Sequence, residues 1–151
     1  MRCVFCDIVA RKSPAFIFWE SSHYLAFLSA FPNTRGASVV VPKEHYPSNI
    51  WHLPDEVRTD LVRAAADVNN LLCQKLNVER TAMIWEGYGI DHAHAKLFPL
   101  NGTKPGKAWE PINSEPRTVF PHYKGYVSSH DGPPATDADL KALYDLLSSV
   151  Q

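Results

Sequence analysis

A chain of 151 residues with 45% hydrophobic and 21% charged side chains has an ordinary globular composition and enough length for one well-buried core. Its formal net charge of -1 argues against a broad nucleic-acid or membrane footprint, so any anion site must be local. No stretch approaches the roughly 18 apolar residues of a membrane span, the amino terminus lacks the basic and apolar regions of a signal peptide, and the odd count of 3 cysteines suits a reducing compartment. The expected location is cytoplasmic.

In chain order, Cys3-Val4-Phe5-Cys6 comes first. Its two-residue gap lets both thiolates reach one tetrahedral zinc; the same spacing also suits two small buried side chains beside Phe5. Residues 16–20 and 24–28 are β-prone runs around Ser21-Ser22-His23, which predicts a hairpin. Pro32-Asn33-Thr34-Arg35-Gly36 is a turn cluster ahead of a central strand at 37–41, and Pro42-Lys43-Glu44-His45 then offers an imidazole. Pro54 is expected at the first position of a helix, with Asp55 and Glu56 in the first turn where the helix dipole favours acids. Val57, Leu61, Ala64, Ala65, Val68, Leu71 and Leu72 recur at helical spacing and predict its core face. A strand at 81–85, the turn Glu86-Gly87-Tyr88-Gly89 and a further strand from 90 onward complete an α+β domain on an antiparallel sheet of about five strands with one long helix.

That last strand carries the most chemistry. In His92-Ala93-His94-Ala95-Lys96-Leu97-Phe98-Pro99, extended backbone sends His92, His94 and Lys96 to one face, about 6.5–7 Å apart, and Ala93, Ala95 and Leu97 to the core. Two imidazoles and an ammonium so placed can reach different atoms of one phosphoanhydride. A solvated polar face or a metal held by the paired histidines are the other readings. Trp19, Trp51 and Trp85 are expected as core or dimer contacts rather than base-stacking platforms.

Beyond Leu100 the texture changes: Pro105, Pro111, Pro116, Pro121, Pro133 and Pro134 punctuate a segment without sustained period. It is expected to be a lid or wrap, and Trp109, Arg117, His122, Tyr123 and Lys124 give it groups able to stack on or pair with a second substrate moiety. A solvent-facing cover is the alternative, with surface or packing roles for His122, Tyr123, Tyr126 and His130. Thr136-Asp137-Ala138-Asp139 resembles a capping box with Asp in place of Glu, opening a terminal amphipathic helix with Leu140, Leu143, Tyr144 and Leu147 on its apolar face.

Taken together, Cys3-x-x-Cys6, the turn and strand from Pro32 to Pro42, Lys43-Glu44-His45, and Gly87 through His94 to Pro99 resemble the histidine triad (HIT) family in order and spacing. The resemblance spans about residues 3–103. It divides the chain into a HIT-like core domain at 1–103 and an extension at 104–151 packed on it. It implies a homodimer that binds a purine nucleotide or nucleotide conjugate and breaks bonds at the α-phosphorus. His94 would be the nucleophile, forming a nucleotidyl-imidazole that water resolves. In the zinc-carrying bacterial branch the resemblance implies a closed structural zinc on Cys3, Cys6, His45 and His92.

The chain also departs from the pattern. The third triad position is Lys96, which keeps a cation near the phosphate but removes a group able to accept a proton. Ser29 stands where relatives commonly place an Asp on the ribose, Asn33 is a further polar candidate, and Gly87, Tyr88 and Gly89 form the approach to the phosphate without the usual Gln and Ser. The resulting expectation is a hydrolase of a nucleoside phosphoramidate, dinucleoside polyphosphate or adenylylated compound, with Lys96 assisting His94. A nucleotidyltransferase or phosphorylase using the same intermediate, and a nucleotide-binding protein without turnover, are the alternatives.

Overall fold

Alternating apolar side chains cover both faces of the sheet, and each face finds its own helix. The computed structural model describes residues 3–128 and 133–148, with 143–148 described by backbone alone. Strands β1 (Ile17–Glu20), β2 (Tyr24–Leu28), β3 (Ser38–Pro42), β4 (Thr81–Ile84) and β5 (Ala95–Pro99) form an antiparallel sheet in the order β1-β2-β3-β5-β4. Helix α1 (Val4–Val9) precedes the sheet, and α2 (Asp55–Leu76) links β3 to β4 after a short 3-10 turn at Ile50–His52.

Ala26, Val40, Ala95 and Leu97 point to one face and join Leu61, Ala64, Ala65, Val68 and Leu72 of α2 in the main core. Leu25, Phe27, Val39 and Val41 point to the other and meet Phe5 and Ile8 of α1. Leu61 is fully buried, so Leu61→Ala should cost about 2–5 kcal/mol in lost transfer energy and residual cavity. The turn before β3 requires Gly36: its φ is +85°, and a Cβ there would lie 2.5 Å from Leu76 Cδ1.

Two local expectations are corrected. Pro54 caps α2 instead of occupying its first helical position, because its ψ of 142° is extended. The ladder of the histidine segment begins only at Ala95, whereas an extended strand was expected from residue 90. The β3–β5 register ends at Val40↔Ala95, and the next positions outward would set Ala93 against Pro42, which has no N–H to continue the ladder. The Ala93 N–H instead donates to the Tyr46 carbonyl at 2.8 Å, and the Ser48 N–H donates to Asp91 Oδ1 at 2.8 Å. Of the three tryptophans expected as core or dimer contacts, Trp19 and Trp85 pack against the α2-side cluster, and Trp51 is 79% exposed.

The chain forms two compact units, Met1–Ala108 and Trp109–Gln151. From 109 to 128 the second unit runs without strand or helix, and its internal contacts include an edge-on pair between Phe120 and Tyr126 at 5.5 Å and an Arg117 hydrogen bond to the Ser114 carbonyl at 2.7 Å. Side chains of His122 and Tyr123 are exposed. Helix α3 (Asp137–Ser148) opens on the expected cap, the Asp139 N–H donating to Thr136 Oγ1 at 3.1 Å and the Thr136 hydroxyl donating to Asp139 Oδ2 at 2.7 Å. His130 and the side chains of Leu143, Tyr144 and Leu147 lie outside the described residues.

Candidate active site

Pro42 breaks the ladder, and its carbonyl receives a histidine instead. His92 is fully buried and its Nε2–H donates to the Pro42 carbonyl at 2.9 Å. A carbonyl only accepts, so the proton sits on Nε2 and the lone pair of Nδ1 faces two sulfurs, Cys3 Sγ at 3.4 Å and Cys6 Sγ at 3.5 Å. His45 Nδ1 lies 3.4 Å from Cys6 Sγ. Around tetrahedral zinc, with Zn–S near 2.3 Å and Zn–N near 2.0–2.1 Å, neighbouring sulfur and nitrogen stand about 3.5–3.6 Å apart. The four donor atoms all lie within 4.8 Å of one another, so Cys3, Cys6, His45 and His92 could hold a metal. Burial, then the neighbouring Cys3 sulfur, pushes the Cys6 thiol up from its ordinary value, so metal binding there would release a proton.

The same rule fixes the tautomer of His94. Its Nδ1 lies 2.6 Å from the main-chain carbonyl of His92 and must donate, which leaves the lone pair on Nε2. The ring is buried and edge-on to Phe5 of α1, with centroids 5.3 Å apart. Burial above all, and the charge of Lys96 with it, hold His94 below the usual histidine range despite the hydrogen bond to His92. It is therefore neutral at pH 7, with Nδ1 anchored and a lone pair on Nε2.

Lys96 pairs with Val39 of β3 and Ile84 of β4 in the ladder, on the face opposite the α2 core. Its Nζ reaches Glu86 Oε1 at 3.3 Å, the lysine side chain 38% exposed and the glutamate 13%. The other carboxylate oxygen of Glu86 accepts from the Tyr88 N–H at 3.4 Å. Sequence reading missed Glu86 as a partner. It lies two residues past Ile84, the residue that pairs with Lys96 across β4 and β5, and that register is set by the tertiary fold and leaves no local mark in the sequence.

The sheet register also places the other candidates. Ser29 lies just past the end of β2, two residues beyond Phe27, and its N–H donates to the Ala37 carbonyl at 2.9 Å, which displaces it along the sheet from the level of Lys96. Its Oγ accepts from the Phe31 N–H at 3.2 Å. Asn33 is exposed in the β2–β3 turn. Gly87, Tyr88 and Gly89 follow Glu86 in an irregular loop; Gly87 has φ +72°, and a Cβ there would meet the Ser48 carbonyl oxygen at 2.8 Å. Asp91, unassigned from sequence, ties this loop to the segment carrying His45 through Ser48, and that hydrogen bond holds its carboxyl below the ordinary range.

Comparison with known proteins agrees with this architecture. The HIT domain family matches residues 10–99, and the chain belongs to that family. The adenosine 5'-monophosphoramidase of Schizosaccharomyces pombe is 30% identical over 100 residues, spanning 66% of this chain and 74% of that protein. An uncharacterized HIT-like protein of Methanocaldococcus jannaschii is 28% identical over 102 residues, 64% of this chain and 78% of its own. Among solved structures, a zinc-bound histidine triad family protein from Mycobacterium smegmatis superposes with a TM-score of 0.61 at 25% identity, covering 73% of this chain and 84% of that one. A Streptococcus mutans protein reaches 0.64 at 23% identity over 96% of this chain and 82% of its own, which shows the shared fold. No helix among the described residues is long and apolar enough to cross a membrane.

Proposed function

We propose that the protein is a nucleotide hydrolase that cleaves at the α-phosphorus of a purine nucleoside phosphoramidate, dinucleoside polyphosphate or adenylylated compound through a nucleotidyl-His94 intermediate. The observation that carries this reading is the anchored tautomer of His94, whose Nδ1–H is held by the His92 carbonyl at 2.6 Å. Nε2 attacks phosphorus as the bond to the leaving group breaks and that group departs with the electron pair. The adduct is cationic, and the same carbonyl stabilises it. Water then attacks phosphorus, a proton is lost to solvent, and the imidazole is released with the nucleoside monophosphate. Lys96 balances charge on the non-bridging oxygens. Ser29, Asn33 and the Gly87-Tyr88-Gly89 loop contact the nucleotide. The phosphoramidase activity of the fission-yeast relative supports this substrate class.

In the same reading zinc occupies Cys3, Cys6, His45 and His92 as a structural ion, supported by the donor spacing and the zinc-bound mycobacterial relative. It would tie α1 and the segment after β3 to the backbone that supports His94, leaving the chemistry to His94 and Lys96. The direct test is mass spectrometry of protein quenched during turnover of adenosine 5'-phosphoramidate. An adenylyl group on the peptide containing His94 is expected. Turnover with no such adduct, and undiminished in His94→Ala, would refute the mechanism.

A transferase reading is favoured by one feature: Lys96, paired to Glu86, is not a proton acceptor for an attacking water. Adding inorganic phosphate separates the two, since a phosphorylase releases nucleoside diphosphate where the hydrolase releases monophosphate.

A further inference from the structure

Lys96 does not stand alone beside His94. Its ammonium is 3.3 Å from Glu86, a carboxylate two residues past the end of β4, and Lys96 lies on the sheet face covered by α1, where His94 packs on Phe5. Glu86 is the more buried partner, and its second oxygen takes the Tyr88 N–H of the following loop at 3.4 Å, so its position is fixed from two sides. Gly87 between them has a left-handed φ of +72°, and a Cβ there would lie 2.8 Å from the Ser48 carbonyl oxygen, so this loop path requires glycine. A cation two residues from the nucleophile is thus held by a preset counter-charge that substrate must share or displace. The pair has no net charge, unlike a lone ammonium.

We propose that Glu86 is a specificity-determining residue: by pairing with Lys96 it sets the net charge beside the scissile bond near zero, and so selects nucleotides joined to a neutral or amine leaving group over those joined to an anionic polyphosphate. This rests on the reading of the site given above. Glu86 acts through Lys96 and through the local field and makes no bond to the reacting atoms, so it is a positioning residue. Removing its charge leaves Lys96 as an unshared cation. Since Lys96 is 38% exposed, water can solvate it and the fold tolerates the change.

The test compares kcat/KM for adenosine 5'-phosphoramidate and for diadenosine tetraphosphate in the parent, Glu86→Gln, Lys96→Met and the double variant. The ratio of tetraphosphate to phosphoramidate should follow the net charge of the pair. It should rise at least about tenfold in Glu86→Gln, fall about tenfold in Lys96→Met, and return near the parent value in the double variant even though both rates are lower there. A purely structural role for Glu86 would lower both rates without this ordering, and a ratio that does not move, or a double variant that fails to return, overturns the proposal. Calorimetric binding of adenosine monophosphate against adenosine gives the same ordering without turnover: Glu86→Gln should tighten the monophosphate about tenfold and leave adenosine unchanged. If the parent hydrolyses neither substrate but the monophosphate affinities follow the charge order, the hydrolase reading fails and the charge inference stands. If hydrolysis proceeds through His94 and neither ordering appears, only the charge inference fails.

Discussion

His92 and Lys96 flank His94 at equal distance in sequence, yet the protein holds them by different means. His92 is fully buried, and both it and His94 are anchored by main-chain carbonyls, those of Pro42 and His92 itself. Lys96 is partly solvated and is held by a side chain, Glu86. A carbonyl cannot be removed by substitution, so the imidazole side of the site is built into the backbone path around Pro42. The ammonium side depends on one carboxylate and can be retuned by a single change. The centre of the triad is thus a property of the fold, while its third position is adjustable chemistry.

The largest effect should come from breaking the centre itself. His94→Ala is expected to lower turnover by at least about 10³-fold while nucleoside monophosphate affinity stays within a few-fold, because the proposed mechanism loses its nucleophile and keeps its nucleotide contacts. Steady-state kinetics with calorimetric binding checks it, and near-parental turnover would sink the mechanism.

On the adjustable side, Lys96→Met should lower kcat by about 10²–10³-fold with a smaller change in KM, the range seen when one charge-stabilising donor is lost from a preorganised site. Lys96→Arg should recover part of it, since charge is kept and geometry is altered. Equal losses in kcat and affinity would instead make Lys96 a simple binding residue.

On the imidazole side, the expected zinc gives the third test. Metal analysis of protein purified without chelators should find zinc in stoichiometric amount, and removing it, or combining Cys3→Ser with Cys6→Ser, should lower Tm by about 2–4 °C for each kcal/mol lost. Turnover of the folded fraction should fall by no more than about 10–100-fold, as for other changes that disturb the support of a site without touching its reacting groups. Unchanged Tm with no bound metal would assign the four side chains to packing alone.

The extent to which this site was legible follows the same division. The period-3.6 stripe of α2, the continuous apolar runs of β2 and β3 and the alternation of β5 state their burial directly, and the grouping of Cys3, Cys6, His45 and His92 carried through to a compact donor cluster. Helix α1 was not visible because its 6 residues are too few to show a period, and its cap is a cysteine, Sγ of Cys3 accepting from the Cys6 N–H at 3.5 Å. The irregular backbone at His92 was not visible either, since it arises from a proline across the sheet and a hydrogen bond to Tyr46, both remote in sequence. Glu86 was passed over for a related reason: as a turn residue it gives no local sign that β4 delivers it to Lys96.

The smallest effect, a displacement along the pH axis, links the two sides of the comparison. Burial and then the charge of Lys96 hold His94 below the usual histidine value near 6.5. The acid limb of kcat/KM should accordingly have its midpoint below about 6.5, with His94 neutral and competent above it. Between the ordinary and the lowered value the unfolded chain binds more protons at this residue than the folded chain does. The stability associated with a neutral buried His94 is therefore complete above about pH 6.5 and declines as pH falls toward the folded value. In Lys96→Met the cation is gone, so the midpoint should move upward, toward but not past the ordinary value, because burial remains the larger cause. A pH profile of both proteins, with denaturant unfolding of the parent and His94→Ala across the same range, would measure this. An acid limb that stays in place when Lys96 is neutralised would mean that the ammonium does not act on the His94 ring, leaving its proposed influence to the phosphate of the substrate alone.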